Sequence, residues 1–525
     1  MISVFAGQES GFAAEVIFSA LERSVSAGLV NRALSADKAI TDGIYVFISP
    51  DETQASLIAA AVAGRSKVLI FGAIPPTIAP LCGLMSVSPL STNWVEAAAC
   101  EPTPIYQTTR SSAEVRWSGH PLASASPFAT RPFLRFDYAD EWNNLGFGRI
   151  TADGGLWSIA VEAEVGGADV LAWAARDEVA APTSFVTLSE TATSSVLWWN
   201  RAAGAVDSAE WAVIEAFLSD WRPGDRPCVP VISEIPWGYD TAITMRLDCD
   251  EDIASARPLF ELYRERNLPF SVAIKTAQED RDDHVVLLKE ILAADGAVLS
   301  HSVTHAPRWG GSQEACRLEA RGSSDWLEER LPGFTVRYAV SPFHQNPAYV
   351  PAGLKQAGLE GFVGGIIAND PEMLLARGGV IPGDDTGLVT HSQQCMMHGD
   401  CILNEGDPIA ITKQAFVNAC QTETLFGYLD HPFSPRYDYG WGSEEHRVAR
   451  HADFLDFIAA ETADKKVAWM NEDTALDWIA AKSHLRLEKS PSGFSQTAGA
   501  AEVEDYAFAV RFQGARKALT ELLHD

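Results

Sequence analysis

The pattern of apolar and polar positions predicts short strands alternating with helices in the first hundred residues. Apolar strand patterns at residues 43–48 and 67–71 alternate with helical patterns at 13–27 and after Pro50. Strands that alternate with helices favour a parallel sheet with helices on its faces. The glycine pattern of a phosphate-binding loop is missing from the sequence here, which favours a structural or partner-contacting role over a nucleotide site.

From about residue 105 to 200, the pattern changes to short strand-like runs separated by Gly, Pro, Asp and Ser, which indicates a β-rich section. Its tryptophans could stack on sugar rings, but we favour the interpretation that they are core residues. These tryptophans are Trp117, Trp142, Trp157, Trp173, Trp198 and Trp199. Residues 208–221 then predict an amphipathic helix, and a proline-rich connector follows. We place the end of this α/β and β-rich N-terminal region at residue 235.

Residues 236–482 show a regular alternation of strand and helix patterns. A buried strand at 241–252 is followed by a helix at 258–266, a strand at 269–275 and a helix at 283–294. This alternation favours a (β/α) barrel over an antiparallel sandwich. Residues 483–525 form a C-terminal extension with a Ser/Gly/Ala-rich linker, a short strand and a helix predicted at 515–523.

Candidate chemistry lies at the ends of two strands of the predicted barrel. In TAITMRLDCDED, the two-residue period of a strand places Arg246, Asp248 and Asp250 on one face. In GAVLSHSVTHAP, His301 and His305 follow a short strand in a loop or first helical turn, where their imidazoles can converge. An aspartate with His-x-x-x-His is a plausible set of three metal ligands, and it leaves one carboxylate unligated nearby.

These two blocks resemble those of the polysaccharide deacetylases with a NodB-like homology domain, which are carbohydrate esterase 4-like, metal-dependent amide hydrolases on a distorted (β/α) barrel. The resemblance implies that Asp248 is the general base and that Asp250, His301 and His305 bind the metal. The commonest form of the first block has adjacent aspartates, whereas Cys249 separates them here, as in a divergent Asp-x-Asp branch.

Two further blocks match the family less closely. The family's Arg-x-Pro-Tyr stands here as Val-Ser-Pro-Phe, and the resemblance implies that the backbone near Phe343 helps to polarise the acetyl carbonyl. Arg246 or Arg337 could replace the missing arginine. The sequence Leu-Asp-His ending at His431 matches the last block, in which the histidine is the general acid that protonates the leaving amine.

Other polar residues near these blocks have weaker signals. His344 and Asn346, beyond the Pro-Phe turn, are candidates for lining the groove. Residues 389–406 contain several histidines, cysteines and an aspartate whose spacing matches no zinc pattern, and we predict a substrate-lining loop. These residues are His391, Cys395, His398, Asp400 and Cys401.

Composition limits the classes of partner. The formal net charge of −30 and the sequence pI near 4.7 argue against nucleic acid or anionic lipid as a partner, because broad phosphate binding needs a basic surface. The eight cysteines form no CxxC pair, and we find no signal-peptide or membrane-spanning pattern. We therefore expect a cytoplasmic protein with reduced thiols and no membrane insertion. The C-terminal tail could cap the barrel or contact another subunit in a homo-oligomer.

The sequence thus predicts a metal-dependent enzyme, with zinc as the expected ion, that hydrolyses the N-acetyl group of an amino sugar in a glycan or glycan precursor. Two alternatives stay open. One is a metal-dependent C–N hydrolase of a small amide or ureide. The other is a non-catalytic carbohydrate-binding or assembly protein, although retention of both aspartates and all three histidines argues against it.

Overall fold

A computed structural model describes most of the chain. The described residues are 1–8, 10–32, 42–92, 94, 113–132, 159–176, 183–201, 208–277, 281–364, 377–391, 395–434, 437–491, 493–500, 502–503 and 505–524. Their helices are α1 (Gly11–Ser24), α2 (Ala55–Ala63), α3 (Ser208–Ser219), α4 (Arg257–Glu265), α5 (Asp282–Ala293), α6 (Gln313–Arg330), α7 (Val350–Ala357), α8 (Ala410–Gln421), α9 (Glu444–Glu461), α10 (Glu472–His484) and α11 (Leu519–His524).

The strands fall into two large sheets and several small ones. Those before residue 235 are β1 (Ile2–Ala6), β2 (Val30–Arg32), β3 (Gly43–Ile48), β4 (Ser66–Phe71), β5 (Leu84–Ser88), β6 (Ala113–Trp117), β7 (Thr130–Pro132), β8 (Glu162–Val165), β9 (Asp169–Arg176), β10 (Thr183–Glu190), β11 (Ser194–Trp199) and β12 (Val231–Ile232). Those after it are β13 (Thr241–Cys249), β14 (Ser271–Ile274), β15 (Ala297–Ser300), β16 (Tyr338–Val340), β17 (Gly361–Val363), β18 (Gly379–Val380), β19 (Val389–His391), β20 (Cys395–Met396), β21 (Phe426–Asp430), β22 (Val467–Met470), β23 (Arg486–Ser490), β24 (Gly493–Ala498), β25 (Glu502–Val503), β26 (Tyr506–Ala507), β27 (Ala509–Phe512) and β28 (Ala515–Ala518).

The first large sheet has the order β2-β1-β3-β4-β11-β10-β9-β6-β7. Strands β2, β1, β3, β4 and β11 form a parallel part, and the pairs β11–β10, β10–β9, β9–β6 and β6–β7 continue the sheet antiparallel. Asp51 forms a capping box before α2, as the PDET sequence predicts. The β-rich strands therefore extend the N-terminal parallel sheet in the same layer.

One sequence interpretation of this region changes in the structure, and another agrees with it for two tryptophans. Helix α3 is buried along all of its residues instead of amphipathic, because it is enclosed in the core between other elements. Trp198 and Trp199 are core residues, as favoured above, so neither offers a face for sugar stacking. Trp142 and Trp157 lie outside the described residues, as does the strand-like run FLRFDY at 133–138.

The second large sheet has the order β18-β19-β17-β16-β15-β14-β13-β21-β20, with β22 also paired to β13. Its strands are parallel except for the β18–β19 pair. The mixed α/β class is confirmed, and the long central strand β13 is buried at every residue, as its apolar pattern predicts. In the described part of the chain the strand order is open between β18 and β20, as in a barrel that does not close.

The C-terminal extension differs from the sequence prediction. The expected linker contains a hairpin of β23 and β24, and the expected helix at 515–523 begins as strand β28 before α11. The reason is tertiary pairing: β28 joins β27, which in turn pairs with β12 from the predicted connector. Sheet pairing here overrides the helical preference of a short segment.

Two general expectations can be compared with the described residues. None of the described helices is long and apolar enough to cross a membrane. The described cysteines are all free thiols, whereas Cys100 lies outside the described residues.

A buried ion pair joins the connector to the barrel. Lys482 on α10 donates to the carboxylate of Glu234, which also accepts the Gly378 N–H at 3.3 Å. Both charged side chains are buried, and burial lowers the pKa of Lys482 even though Glu234 opposes that shift. The pair therefore stabilises this contact only while both partners are present.

We predict that Lys482→Ala lowers the free energy of unfolding by about 3–5 kcal/mol, because it leaves the Glu234 carboxylate buried without its cation. The double variant Glu234→Leu/Lys482→Met replaces both charges with apolar side chains, so it should be much more stable than Lys482→Ala. Urea denaturation measures both effects. The control Lys489→Ala, at an exposed position of β23, should change stability by no more than about 0.5 kcal/mol. A loss for Lys482→Ala as small as that of the control would contradict this account.

Candidate active site

The residues singled out in the sequence meet at one edge of the second sheet. Asp248 lies near the end of β13, and Asp250 follows that strand. His301 comes directly after β15, and His431 directly after β21. Because β13, β14, β15 and β21 run parallel, their carboxyl ends share this edge.

Asp248 is held by Arg246 on the same face of the strand. Arg246 Nε donates to Asp248 Oδ1 at 2.6 Å, and Nη2 donates to Oδ2 at 3.1 Å, in a two-point contact between buried side chains. Burial disfavours the charged carboxylate, but Arg246 and His301 outweigh it and hold the pKa of Asp248 well below its usual range. Asp248 is therefore an anion whose two oxygens are already hydrogen-bonded.

Of the two arginines considered as replacements for the missing third-block arginine, Arg246 is the one in contact with Asp248. Arg337, just before β16, donates instead to Glu360 and Asp477. The arginine that orients this carboxylate therefore comes from β13 itself, two residues before the aspartate it binds.

Asp250, His301 and His305 converge on one point. Asp250 Oδ1 lies 3.3 Å from His301 Nε2 and 3.6 Å from His305 Nε2. His301 Nδ1 donates to the Val340 carbonyl at 2.9 Å, which directs its Nε2 toward Asp250. Asp250 Oδ1 and His301 Nε2 are buried and have no hydrogen-bond partner. A carboxylate oxygen and two imidazole nitrogens with unused lone pairs fit a divalent cation, and they suit zinc by ligand type.

The ionisation of Asp250 and His305 also fits a metal. Burial and the neighbouring His301 lower the pKa of His305 to about 4, so the imidazole is neutral at neutral pH. Burial raises the pKa of Asp250, but His301 and the other histidines more than reverse this and bring it to about 2. Metal ligands must be deprotonated, and these two groups already are. Burial lowers the pKa of His301, but the carboxylates of Asp248 and Asp250 outweigh it and raise that pKa, so metal binding would release a proton from His301.

The histidine segment is a loop instead of a helical turn. Ser302 and His305 both have positive φ, of 65° and 57°, and the Ser302 hydroxyl accepts the His305 N–H at 2.9 Å. Glu319 on α6 accepts the Thr304 N–H and hydroxyl at 2.8 and 2.7 Å. The surrounding hydrogen bonds thus hold the loop in a backbone conformation that is otherwise unfavourable.

The Pro-Phe turn lies against the same centre. Phe343 has φ 52°, and its ring centroid lies 4.4 Å from that of His305. The N–H groups of His344 and Gln345 donate to the carbonyls of Ser341 and Pro342, so neither is available to a ligand. This leaves the Phe343 N–H as the candidate donor of the turn.

The two candidate groove residues beyond the turn are buried. Asn346 accepts from the Ser341 hydroxyl at 2.6 Å and donates to the Gly364 carbonyl at 2.9 Å, so it braces the turn. Burial and Arg246 lower the pKa of His344 to about 3, which keeps it neutral. Both residues support the site from inside instead of lining a groove.

Two residues contact His431: His398, which the sequence predicts only as part of a substrate-lining loop without a role at His431, and Tyr439, which the sequence does not single out. His398 Nε2 lies 2.5 Å from His431 Nδ1, and the Tyr439 ring stacks on His431 with centroids 4.3 Å apart. The Tyr439 hydroxyl donates to Asp250 Oδ2 at 3.4 Å. Each follows an apolar strand within a polar or aromatic loop, but no motif distinguishes them.

A second group of possible metal ligands in the described chain is His398, Asp430 and His431. Asp430 is buried and accepts from Trp441 Nε1 at 3.2 Å, while its other oxygen lies 3.0 Å from His451 Nε2. Of the other loop residues considered, His391 pairs with Glu472 at 2.8 Å. Asp430 therefore belongs to a hydrogen-bonded network behind the site.

Several solved structures resemble the chain, although no family model matches the sequence and no curated protein matches it. The carbohydrate deacetylase Agd3 is 11% identical over 97% of this chain and 92% of its own, with a TM-score of 0.42. A polysaccharide deacetylase from Mycobacterium smegmatis is 15% identical over 49% of this chain and 97% of its own, with a TM-score of 0.37. The chitin deacetylase of Colletotrichum lindemuthianum is 12% identical over 44% of this chain and 86% of its own, with a TM-score of 0.30. At these values we draw no inference from them about substrate or mechanism.

We predict that Asp250→Ala loses the metal, because it removes the charged donor that completes the three-ligand set. Asp248→Asn should retain the metal, because Asp248 already binds Arg246 with both oxygens. Metal content after dialysis against zinc, measured by elemental analysis, distinguishes the two variants. Retention by Asp250→Ala together with loss by Asp248→Asn would mean that base and ligand are interchanged across Cys249.

Proposed function

We propose that the protein is a metal-dependent hydrolase that removes the N-acetyl group from an amino sugar of a glycan or glycan precursor. One observation carries this proposal. Two buried ligand atoms without partners, Asp250 Oδ1 and His301 Nε2, converge with His305 beside an ionised aspartate and an unligated histidine. A metal ion, a general base and a general acid close together are sufficient to hydrolyse an amide.

The resident ion in this proposal is zinc held by Asp250, His301 and His305, and it would supply a Lewis acid that polarises the carbonyl and makes water acidic. The protein's part is to keep the three ligands aligned. Val340 fixes the ring of His301 through its carbonyl, and the Ser302 hydroxyl fixes the backbone at His305.

Asp248 is the proposed general base. Its carboxylate stays ionised because Arg246 lies against it, and Arg246 also fixes its orientation. It would accept a proton from the attacking water as the C–O bond forms. A strongly held carboxylate is a weak base, so this assignment depends on the water being acidified in the site.

His431 is the proposed general acid. Its Nε2 lies 3.5 Å from Asp250 Oδ2, so it faces the point where the three ligands meet. It would give its Nε2 proton to the amide nitrogen as the C–N electron pair moves to that nitrogen, releasing the free amine and acetate. The Phe343 N–H is the proposed hydrogen-bond donor to the oxygen that gains charge.

Exposed aromatic rings support a carbohydrate substrate. Phe343 is 40% exposed beside His305, and Tyr437 is 54% exposed with its ring 4.6 Å from that of Tyr439. Each ring contacts a residue of the site, Phe343 through His305 and Tyr437 through Tyr439, and aromatic faces pack well on the C–H faces of sugar rings.

We predict acetate release from N-acetylated oligosaccharides such as chitooligosaccharides. Activity should disappear after treatment with a chelator and return with zinc, because the ligands stay in place without the ion. An enzyme-coupled acetate assay measures this, and Asp250→Ala provides the matched control for deacetylation by contaminants. Metal-loaded protein that releases no acetate from N-acetylated sugars, or release that survives both chelation and Asp250→Ala, would contradict the proposal.

A further inference from the structure

We propose that His398 is a positioning residue that holds His431 in the orientation and tautomer needed for proton donation; this inference rests on the proposed function. An imidazole that transfers a proton is often oriented by a carboxylate at its other nitrogen, but Nδ1 of His431 faces the imidazole of His398 instead. The nearest candidate carboxylate, Asp430, is turned toward Trp441 and His451.

The two nitrogens of His431 have separate partners. Nδ1 lies 2.5 Å from His398 Nε2, and Nε2 lies 3.5 Å from Asp250 Oδ2. Two ring nitrogens this close must share one proton, since two hydrogens would clash and two lone pairs would repel. A ring flip of His431 would break the contact with His398, so the contact fixes which nitrogen faces the site.

The protonation state of His398 allows it to accept a hydrogen bond from His431. Burial, together with His431, lowers its pKa to about 3, so its imidazole is neutral. When His431 carries protons on both nitrogens, His398 Nε2 accepts the Nδ1–H. After the Nε2 proton has moved to the leaving amine, His431 keeps Nδ1–H on His398 and Nε2 becomes a lone pair.

The backbone places His398 accurately. A Cβ on Gly399 would lie 2.1 Å from the carbonyl carbon of Gly440, so the two glycines let their loops cross in direct contact. His398 and Tyr439 are the residues just before these glycines, and their rings lie 5.1 Å apart. The crossing therefore places both rings against His431: His398 packs edge to face with it, and Tyr439 stacks on its face.

A metal ion shared by His398 and His431 is a poor explanation of the same contact. Nitrogens that bind one tetrahedral zinc at about 2.0–2.1 Å are roughly 3.3 Å apart, whereas these are 2.5 Å apart. Asp430, which would complete the set, already binds Trp441, and its other oxygen faces His451 and Arg447. A shared proton satisfies both imidazoles without moving either.

The test compares an amide with an activated ester, because a nitrophenolate leaves without protonation and an alkyl amine does not. His398→Ala should lower kcat for N-acetylated sugar by about 10–100-fold, leave KM and metal content unchanged, and affect 4-nitrophenyl acetate far less. His398→Gln should restore most of the amide activity, since its Oε1 can accept the same N–H. His431→Ala should show the same selectivity. The buried His391→Ala serves as a matched control, with lowered thermal stability but an unchanged ratio of amide to ester hydrolysis.

Equal losses on amide and ester, or loss of metal in His398→Ala, would overturn the inference. A readout independent of activity is the crystal structure of His398→Ala. We expect the His431 ring to rotate or to occupy two orientations, and an unchanged, singly oriented ring would equally overturn it. Failure of wild-type acetate release would contradict the proposed function, whereas the His431 orientation still decides the role of His398.

Discussion

A buried charge imbalance at the end of β13 is the constraint on which the site depends. The strand carries Arg246, Asp248 and then Asp250 into a region that excludes solvent. Arg246 neutralises Asp248, and no arginine or lysine contacts Asp250 among the described ion pairs. Buried charges need a counter-charge or a metal. Asp250 Oδ1 and His301 Nε2, which make no hydrogen bond, can together with the neutral His305 hold a divalent cation there.

The elements around this point serve to hold side chains that would otherwise turn away. Parallel strands bring Asp250, His301 and His431 to one edge of the sheet. The irregular backbone after each strand then sets the direction of these side chains. Positive φ at His305 and Phe343 places imidazole and aromatic ring in contact. These unfavourable conformations are stabilised by local hydrogen bonds, including that from His305 N–H to Ser302. Strand position is thus set by the sheet, and side-chain direction by the loops.

Features set by the strands could be predicted from the sequence, whereas features set by contacts between distant loops could not. Strand β13 was predictable because its apolar alternation and its carboxylates lie within a few consecutive residues. That Asp250 and the two histidines lie together was predictable because Asp250 and the segment of His301 and His305 follow strands of the same parallel sheet, whose carboxyl ends meet at one edge. His398 and Tyr439 were not, because their roles come from the crossing of two distant loops at Gly399 and Gly440. The first residues of the tail helix, 515–518, were misassigned for a similar reason, since the pairing of β28 with β27 is set by tertiary structure.

The central claim is that a cation resides between Asp250, His301 and His305, and anomalous X-ray scattering tests it most directly. Crystals of the zinc-loaded protein should give an anomalous peak above the zinc edge that vanishes below it. The account predicts this peak at about 2.0–2.2 Å from Asp250 Oδ1, His301 Nε2 and His305 Nε2. An ordered site without a peak, or a peak between His398 and His431 in its place, would contradict it.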